Sequence, residues 1–206
     1  MSLLQARVSR KLLGVAFVAG LVSSGVPLMR ARAAQPHARL PDPRPAIAAR
    51  TLDPKEAGEY LRDAARAGDS ELIVALTKAS TPVDDADEKG YSPLILASYH
   101  GHAKAVEDLL AAGADACRAD KRGNTALMGA AYKGYETIVA RLSREPCTLA
   151  QKNGAGRTAY MFAALVGRTK ILRLLEARGA DSNAKDHGGM TAADWAATQG
   201  ADLRGR

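Results

Sequence analysis

Two short stretches combine glycine with a basic residue and a hydroxyl, the residue types that hold phosphate in nucleotide-binding loops. They are "RGNT" at 122–125 and "NGAGRT" at 153–158. A P-loop needs a lysine directly before its final Ser or Thr, and a buried strand before its glycines. Neither stretch has that lysine, and both occupy the same position of an internal repeat. We therefore interpret both as turns of a scaffold.

The sequence patterns that would indicate a metal site or a catalytic site are also weak. The one histidine cluster is "HGH" at 100–102. Residues two apart on a helix do not share a face, and no second pair offers metal-ligand spacing. The sequence also lacks the nucleophile motifs of hydrolases and paired carboxylates. We expect no catalytic residue, metal or cofactor, and an unrecognised hydrolase or metal enzyme is the least favoured alternative.

The formal net charge of +7 comes mostly from the N-terminus. Residues 1–33 carry five basic side chains and no acidic one, whereas residues 34–206 carry 24 basic and 22 acidic side chains. In the larger part the charges alternate in sign, as on a solvated surface, instead of forming a basic stripe. We expect no nucleic-acid partner.

The N-terminal residues have the three parts of an export signal. A basic start (7–11) precedes an apolar stretch, "LLGVAFVAGL" (12–21), and the cleavage-site pattern "ARA" (31–33). We expect a signal peptide over 1–33 with cleavage after Ala33. The uncharged stretch 12–29 is also just long enough to span a bilayer, so an uncleaved N-terminal anchor is the alternative.

A proline-rich linker is predicted to follow the signal, over residues 34–56. Its prolines at 36, 41, 43 and 45 favour a stiff, extended chain over 34–50. The mature protein is accordingly expected in a bacterial periplasm, or facing the periplasm from an N-terminal membrane anchor.

Glycine and hydroxyl residues recur every 33 positions through the rest of the chain. The three series are Gly90, Gly123, Gly156 and Gly189; Gly68, Gly101, Gly134, Gly167 and Gly200; and Ser92, Thr125, Thr158 and Thr191. A fixed period of this length is typical of a solenoid of stacked repeats.

Each repeat carries the residues for a tight turn and two helices. The first glycine of a repeat closes the turn with a positive φ, and the Ser or Thr two residues later caps a short helix. The second glycine ends that helix. An amphipathic second helix follows, as at Val106 and Leu109, and it ends at a left-handed glycine such as Gly113 or Gly179.

Spacing and residue types together resemble the ankyrin repeat family, whose unit is a β-turn followed by two helices in 33 residues. The resemblance is clearest in "GYSPLILASYHGHAKAVEDLLAAGADA" (90–116) and "GRTAYMFAALVGRTKILRLLEARGADSNAKD" (156–186). It implies an all-α ankyrin-repeat solenoid of stacked helix-turn-helix units joined by β-turn or hairpin loops. The predicted domain, 57–206, has a degenerate first repeat, three full repeats and a truncated C-terminal cap. Their bounds are 57–86, 87–119, 120–152, 153–185 and 186–206.

The chain departs from the family pattern in two places. The usual histidine of the first helix is replaced in four repeats, so a polar network between repeats is not expected there. The replacing residues are Ile95, Met128, Met161 and Asp194. In addition, "REPCTLA" (144–150) replaces Gly-Ala-Asp, and we expect its proline to end the second helix without a glycine cap.

Cys117 and Cys147 are the two cysteines, and an oxidising compartment would allow them to pair. The repeat equivalent of Cys117 is residue 150, so the cysteines are offset by three residues in neighbouring repeats. Equivalent positions in stacked helices lie roughly 8–10 Å apart. That distance is too long for a disulfide unless the offset shortens it. We favour two free thiols, with a disulfide as the alternative.

The resemblance also implies a partner-binding surface, made by the turn tips and the exposed end of each first helix. Transferred to this sequence, it predicts nine contact residues. They are Arg66, Tyr91, Tyr99, His100, Tyr132, Lys133, Arg157, Leu165 and Val166. Tyr and Arg are frequent anchors of protein interfaces, and Leu165 and Val166 would extend the patch as exposed apolar residues. The alternative is that Tyr99 and Tyr132 only fill the groove between helices.

These features predict an exported, monomeric, non-enzymatic module that binds another protein through its concave face. The chain is also similar to small periplasmic bacterial ankyrin proteins, some of which accompany catalases. A role in supporting an exported enzyme during oxidative-stress defence is therefore the main alternative. The sequence does not identify the partner, because ankyrin surfaces bind by shape and not through a motif.

Overall fold

The computed structural model describes residues 41–49, 52–147 and 149–200, and the predicted signal peptide lies outside them. Ten α-helices form in the described residues. They are α1 (Arg44–Ala49), α2 (Pro54–Ala67), α3 (Ser70–Lys78), α4 (Pro93–His100), α5 (Ala103–Ala111), α6 (Ala126–Lys133), α7 (Glu136–Leu142), α8 (Ala159–Leu165), α9 (Thr169–Ala177) and α10 (Ala192–Thr198). None of these helices is long and apolar enough to cross a membrane.

The helices after α1 pack in two layers. The inner layer is α2, α4, α6, α8 and α10, and each of these helices contacts the next helix of the inner layer. The outer layer is α3, α5, α7 and α9, and each outer helix also packs on the inner helix that precedes it. Within the described ranges the extended pairing is limited to one antiparallel bridge between Ala119 and Thr125. The predicted all-α solenoid is confirmed.

A hydroxyl residue starts each inner helix of the full repeats and of the C-terminal cap. Its side-chain oxygen accepts a hydrogen bond from the backbone N–H three residues on, which satisfies one of the free donors of the first turn. The four pairs are Ser92 with Ile95, Thr125 with Met128, Thr158 with Met161, and Thr191 with Asp194. Asp194 also accepts from the N–H of Thr191, which completes a capping box.

The core lies between the two layers. Outer helices contribute one apolar face, for example Val106 and Leu109 of α5, which are fully buried. The inner helices α4, α6 and α8 are buried over most of their surface because each contacts a helix on three sides. Their repeated alanines, such as Ala97, Ala130 and Ala163, are completely buried and allow neighbouring backbones to approach closely.

Backbone hydrogen bonds join the turn of each repeat to the next turn. The N–H of Lys121 donates to the carbonyl of Lys89 over 3.0 Å, and the N–H of Gly154 donates to the carbonyl of Arg122 over 2.8 Å. Gly123 needs its small size here, because a Cβ at this residue would lie 2.7 Å from the nitrogen of Gly154. Its φ of +81° also lies in the left-handed region, as the turn pattern predicted.

The N-terminal linker differs from its prediction as an extended segment. Residues Arg44–Ala49 form a helix, and α2 begins at Pro54, three residues before the predicted domain boundary. Helix α1 forms because Pro45 falls in its first turn, where a proline needs no N–H partner, and alanines follow it. The Arg44 guanidinium lies 2.9 Å from the Asp69 carboxylate and so joins this helix to the first repeat.

The region around Cys147 confirms one expectation and overturns another. Helix α7 ends at Leu142 with Ser143 in a right-handed conformation, so no glycine caps it, as predicted. The expectation of two free thiols was wrong, because Cys117 and Cys147 form a disulfide with a Cα–Cα distance of 5.9 Å. The early end of α7 frees the following residues to turn, and the three-residue offset brings Cys147 beside Cys117.

Candidate binding groove

A groove with a volume of ≈ 890 Å³ lies between the turns of the three full repeats and the inner helices α4, α6 and α8. Six of the nine predicted contact residues line it. They are Arg66, Tyr91, Tyr99, His100, Tyr132 and Arg157. The 33-residue period produces this convergence, since residues at equivalent positions of stacked repeats lie on one face.

The other three predicted contact residues lie outside the groove lining. Lys133 is adjacent to it, with its Nζ 4.5 Å from the ring centroid of Tyr99. Leu165 and Val166 are half-buried at the end of α8, so the expectation that they are exposed was wrong. Helix α8 ends one residue earlier in its repeat than α4 and α6 do.

Sequence reasoning missed a second series of residues on the same helix face. Leu96, Gly129 and Phe162 line the groove three residues before the positions of Tyr99, Tyr132 and Leu165. The series continues at Trp195, the single tryptophan of the chain. Residues three apart on a helix lie on one face, so the spacing of the predicted tyrosines could have revealed this series.

Tyr99 and Tyr132 are the two exposed large hydrophobic side chains of the described residues, with 42% and 40% of their surface accessible. The ring of each tyrosine contacts a neighbouring side chain. The Tyr132 ring meets the Phe162 ring edge to face, with centroids 6.3 Å apart, and Lys133 lies over the ring of Tyr99. Both tyrosines therefore present a supported apolar surface, and each has a hydroxyl group at the end of its ring.

The acidic side chains of the groove accept hydrogen bonds from backbone N–H groups of the turns. The carboxylate of Asp87 accepts the N–H groups of Lys89 and Tyr91, both over 2.9 Å. Asp120 accepts those of Arg122 and Asn124 over 2.8 Å. By contrast, the side chains of Lys89 and Arg122 make no ion pair within the described part of the chain. The turns contribute three basic side chains (Lys89, Arg122 and Arg157) and two acidic ones (Asp87 and Asp120) to the groove lining, so this wall has a small excess of positive charge.

Positive charge also surrounds the helix end of the groove. Burial, Arg66, His102 and Lys133 all lower the pKa of His100 below its ordinary value. A lowered pKa favours the neutral imidazole at neutral pH. His102 has a structural role, because its Nε2 lies 3.0 Å from the carbonyl oxygen of Arg66 in the preceding repeat.

The turn backbones do not form a phosphate site. A phosphate loop needs free N–H groups, but those of Gly123 and Gly156 donate within their own turns, to Asp120 and Asn153. The N–H of Gly154 donates to the preceding turn. Across the described ranges, no three His, Cys, Asp or Glu side chains are grouped so that they could hold a metal ion.

Comparison with protein families identifies the repeats. A family model described as "Ankyrin repeats (3 copies)" matches residues 61–153, and the model "Ankyrin repeat" matches residues 155–187. The chain belongs to the ankyrin repeat family. Ankyrin repeats are generally non-enzymatic modules for protein–protein interaction. Comparison with curated proteins gives no match.

The matched ankyrin repeats include nearly the whole groove. Its turn residues and the inner helices α4, α6 and α8 lie within the two matched ranges. Trp195 lies after them, in α10 of the truncated C-terminal cap, which is called the C-terminal half repeat below. The groove is therefore a feature of the ankyrin repeats themselves and does not depend on an added segment.

Proposed function

We propose that this protein is an exported interaction module that binds a partner protein on its concave face, formed by the turns and the inner helices. The observation that carries the proposal is the exposure of Tyr99 and Tyr132 along one groove. Tyrosine is enriched among the residues that dominate binding energy, because it buries a large apolar ring and keeps a hydrogen-bonding tip.

The fixed positions of these tyrosines favour binding. Their contacts with Phe162 and Lys133 restrict the rings before any partner arrives, so less side-chain entropy is lost on association. Tyr91 and Arg157 line the same groove from the turns. A partner segment lying in the groove would therefore meet an aromatic residue or an arginine on either side.

The Cys117–Cys147 disulfide supports the exported part of the proposal. Disulfides persist in oxidising compartments and are rare in reducing ones. The disulfide is consistent with the predicted signal peptide, 1–33, and with a mature protein in a bacterial periplasm. Cell fractionation with N-terminal sequencing tests this, and the expected result is a periplasmic protein that begins at Ala34. A cytoplasmic protein that keeps residues 1–33 and carries free thiols would contradict export.

Photo-crosslinking tests the binding surface in cells. A photoreactive amino acid at position 132 is expected to capture a defined partner, because Tyr132 lies in the groove. The matched control is position 112, since Ala112 is exposed at the end of the outer helix α5. Capture from position 112 with equal yield, or no capture from position 132, would contradict binding in the groove.

A further inference from the structure

The floor of the groove has a gap at Gly129. The equivalent residues of the neighbouring repeats are Leu96 and Phe162, whose side chains line the groove. Gly129 has no side chain, and a Cβ built there would have Tyr99 as its nearest neighbour, at 3.5 Å. That distance is an ordinary van der Waals contact, so the site has room for apolar atoms beside Tyr99. We call this space the Gly129 gap.

The surroundings of the Gly129 gap are apolar on the helix side. Tyr99 lies next to it, and Tyr132 of the same helix forms its edge-to-face pair with Phe162 of the following repeat. Met128, adjacent to Gly129, is buried. An aliphatic or aromatic side chain from a bound segment would therefore remove apolar surface from water when it entered the gap.

Cations lie on both sides of this apolar floor. Lys89 and Arg122 occupy the turn side, and the nearby Asp87 and Asp120 are engaged by backbone N–H groups. Arg66 occupies the helix side, where it pairs with Asp63, and Lys133 lies just outside the lining. The groove lining carries four basic and two acidic side chains, so it favours negative charge beside one apolar anchor.

We infer that the groove binds an acidic polypeptide segment that inserts one apolar side chain into the Gly129 gap. The inference rests on the proposed function and specifies the chemistry of the partner. Carboxylates of the segment would pair with Lys89 and Arg122. A peptide fits better than a nucleic acid, because the apolar gap suits an aliphatic side chain.

Selection from a displayed library of random short peptides tests the inference on the purified, disulfide-bonded protein. The expected result is enrichment of Asp and Glu around a single Leu, Ile, Met or Phe. Enrichment of basic or neutral sequences, or no enrichment, would overturn the inference. So would tighter binding of a single-stranded oligonucleotide than of every selected peptide.

Two pairs of variants separate the two parts of the inference, with binding of a selected peptide measured by fluorescence anisotropy. Gly129→Leu fills the gap and should weaken binding about tenfold or more, whereas Gly129→Ala adds one methyl group and should change it little. Both substitutions raise helix propensity, so neither is expected to unfold α6. Equal affinities for the Leu and Ala variants would show that no side chain enters the gap.

The second pair of variants tests the charges of the groove. The double variant Lys89→Ala and Arg122→Ala removes two basic side chains from the groove lining. The control is the double variant Lys104→Ala and Lys170→Ala, which removes two basic side chains from the outer helices α5 and α9. The groove variant should weaken binding about tenfold and reduce its salt dependence, while the control should bind as the parent does. Equal losses in the two variants would contradict a specific acidic segment.

The inference and the proposed function can fail separately. Capture of a partner from position 132 without acidic enrichment in the peptide selection would leave the binding surface intact and reject the acidic segment. Failure of both experiments would reject both statements.

Discussion

The guanidinium of Arg157 stacks on the indole ring of Trp195, with its central carbon 4.0 Å from the ring centroid. The indole Nε1–H donates to the Asp186 carboxylate over 3.0 Å, and the Nε of Arg157 lies 3.7 Å from the same carboxylate. These three residues join the last full repeat to the half repeat that contains α10. The contact therefore connects α10 to the repeat that precedes it.

Replacement of Trp195 should loosen the C-terminal half repeat. Trp195→Ala removes the stacking contact and the hydrogen bond to Asp186, and we expect a loss of about 1–3 kcal/mol in the free energy of unfolding. Urea denaturation followed by circular dichroism measures this loss. Gln199→Ala changes an exposed residue beyond α10 and serves as the control. A Trp195→Ala variant as stable as that control would show that the cluster does not stabilise the fold.

Acid should loosen the same end of the molecule. Burial raises the pKa of Asp186, but hydrogen bonds from Met190, Trp195 and Gly188 outweigh this effect and hold the pKa below the ordinary value of 3.8. A carboxyl with a lowered pKa contributes stability above its unfolded pKa, and that stability is lost as the pH falls through the folded pKa. Stability should therefore decrease below pH 3.8.

Trp195 makes this acid transition observable, because it is the single tryptophan of the chain. Its fluorescence should change below pH 3.8 before the helical circular dichroism signal does. Asp186→Asn in the same titration should weaken that early change. Fluorescence and dichroism that change together at every pH would contradict local loosening of the C-terminal half repeat.

Removal of the disulfide should destabilise the solenoid. The bond between Cys117 and Cys147 closes a loop with a sequence separation of 30. Constraining a loop of this size lowers the entropy of the unfolded chain, so the Cys117→Ser and Cys147→Ser double variant should lose about 2–4 kcal/mol. Thermal unfolding with and without a reductant measures the effect. A parent protein that melts at the same temperature in both conditions would contradict a stabilising disulfide.

Ser98 is a site where a substitution should stabilise the protein. Its hydroxyl is completely buried and has no hydrogen-bond partner among the described residues. The equivalent positions of other repeats are occupied by alanine, as at Ala131 and Ala164. Ser98→Ala removes an unsatisfied polar group and raises helix propensity, so we expect a gain of up to about 1 kcal/mol. A loss of stability in chemical denaturation would show that the hydroxyl has a partner.

The repeat itself was predictable from the sequence because its determinants are local. A glycine at 123 is required by a positive φ and a close backbone contact, and Thr125 caps the helix that follows. These requirements recur in each repeat, so the 33-residue period identified the turns and inner helices together. Most of the predicted groove residues follow from the same period.

Other features depend on contacts that the period does not contain. Helix α1 forms beside prolines, and its ion pair with Asp69 links residues that no repeat relates. The disulfide depends on where α7 ends, which sets the position of Cys147 in three dimensions. Such differences between repeats arise from packing. The 33-residue period does not predict them, because it describes only what the repeats share.

The central claim is that a partner protein binds through the exposed tyrosines of the groove. The most direct measurement is the affinity of the partner captured from position 132 for the Tyr99→Ala and Tyr132→Ala double variant. Both tyrosines are partly exposed, so the thermal unfolding of this variant should change little, while binding should weaken about tenfold or more. The Lys104→Ala and Lys170→Ala double variant should bind as the parent does. Undiminished binding by a folded tyrosine variant would contradict the account.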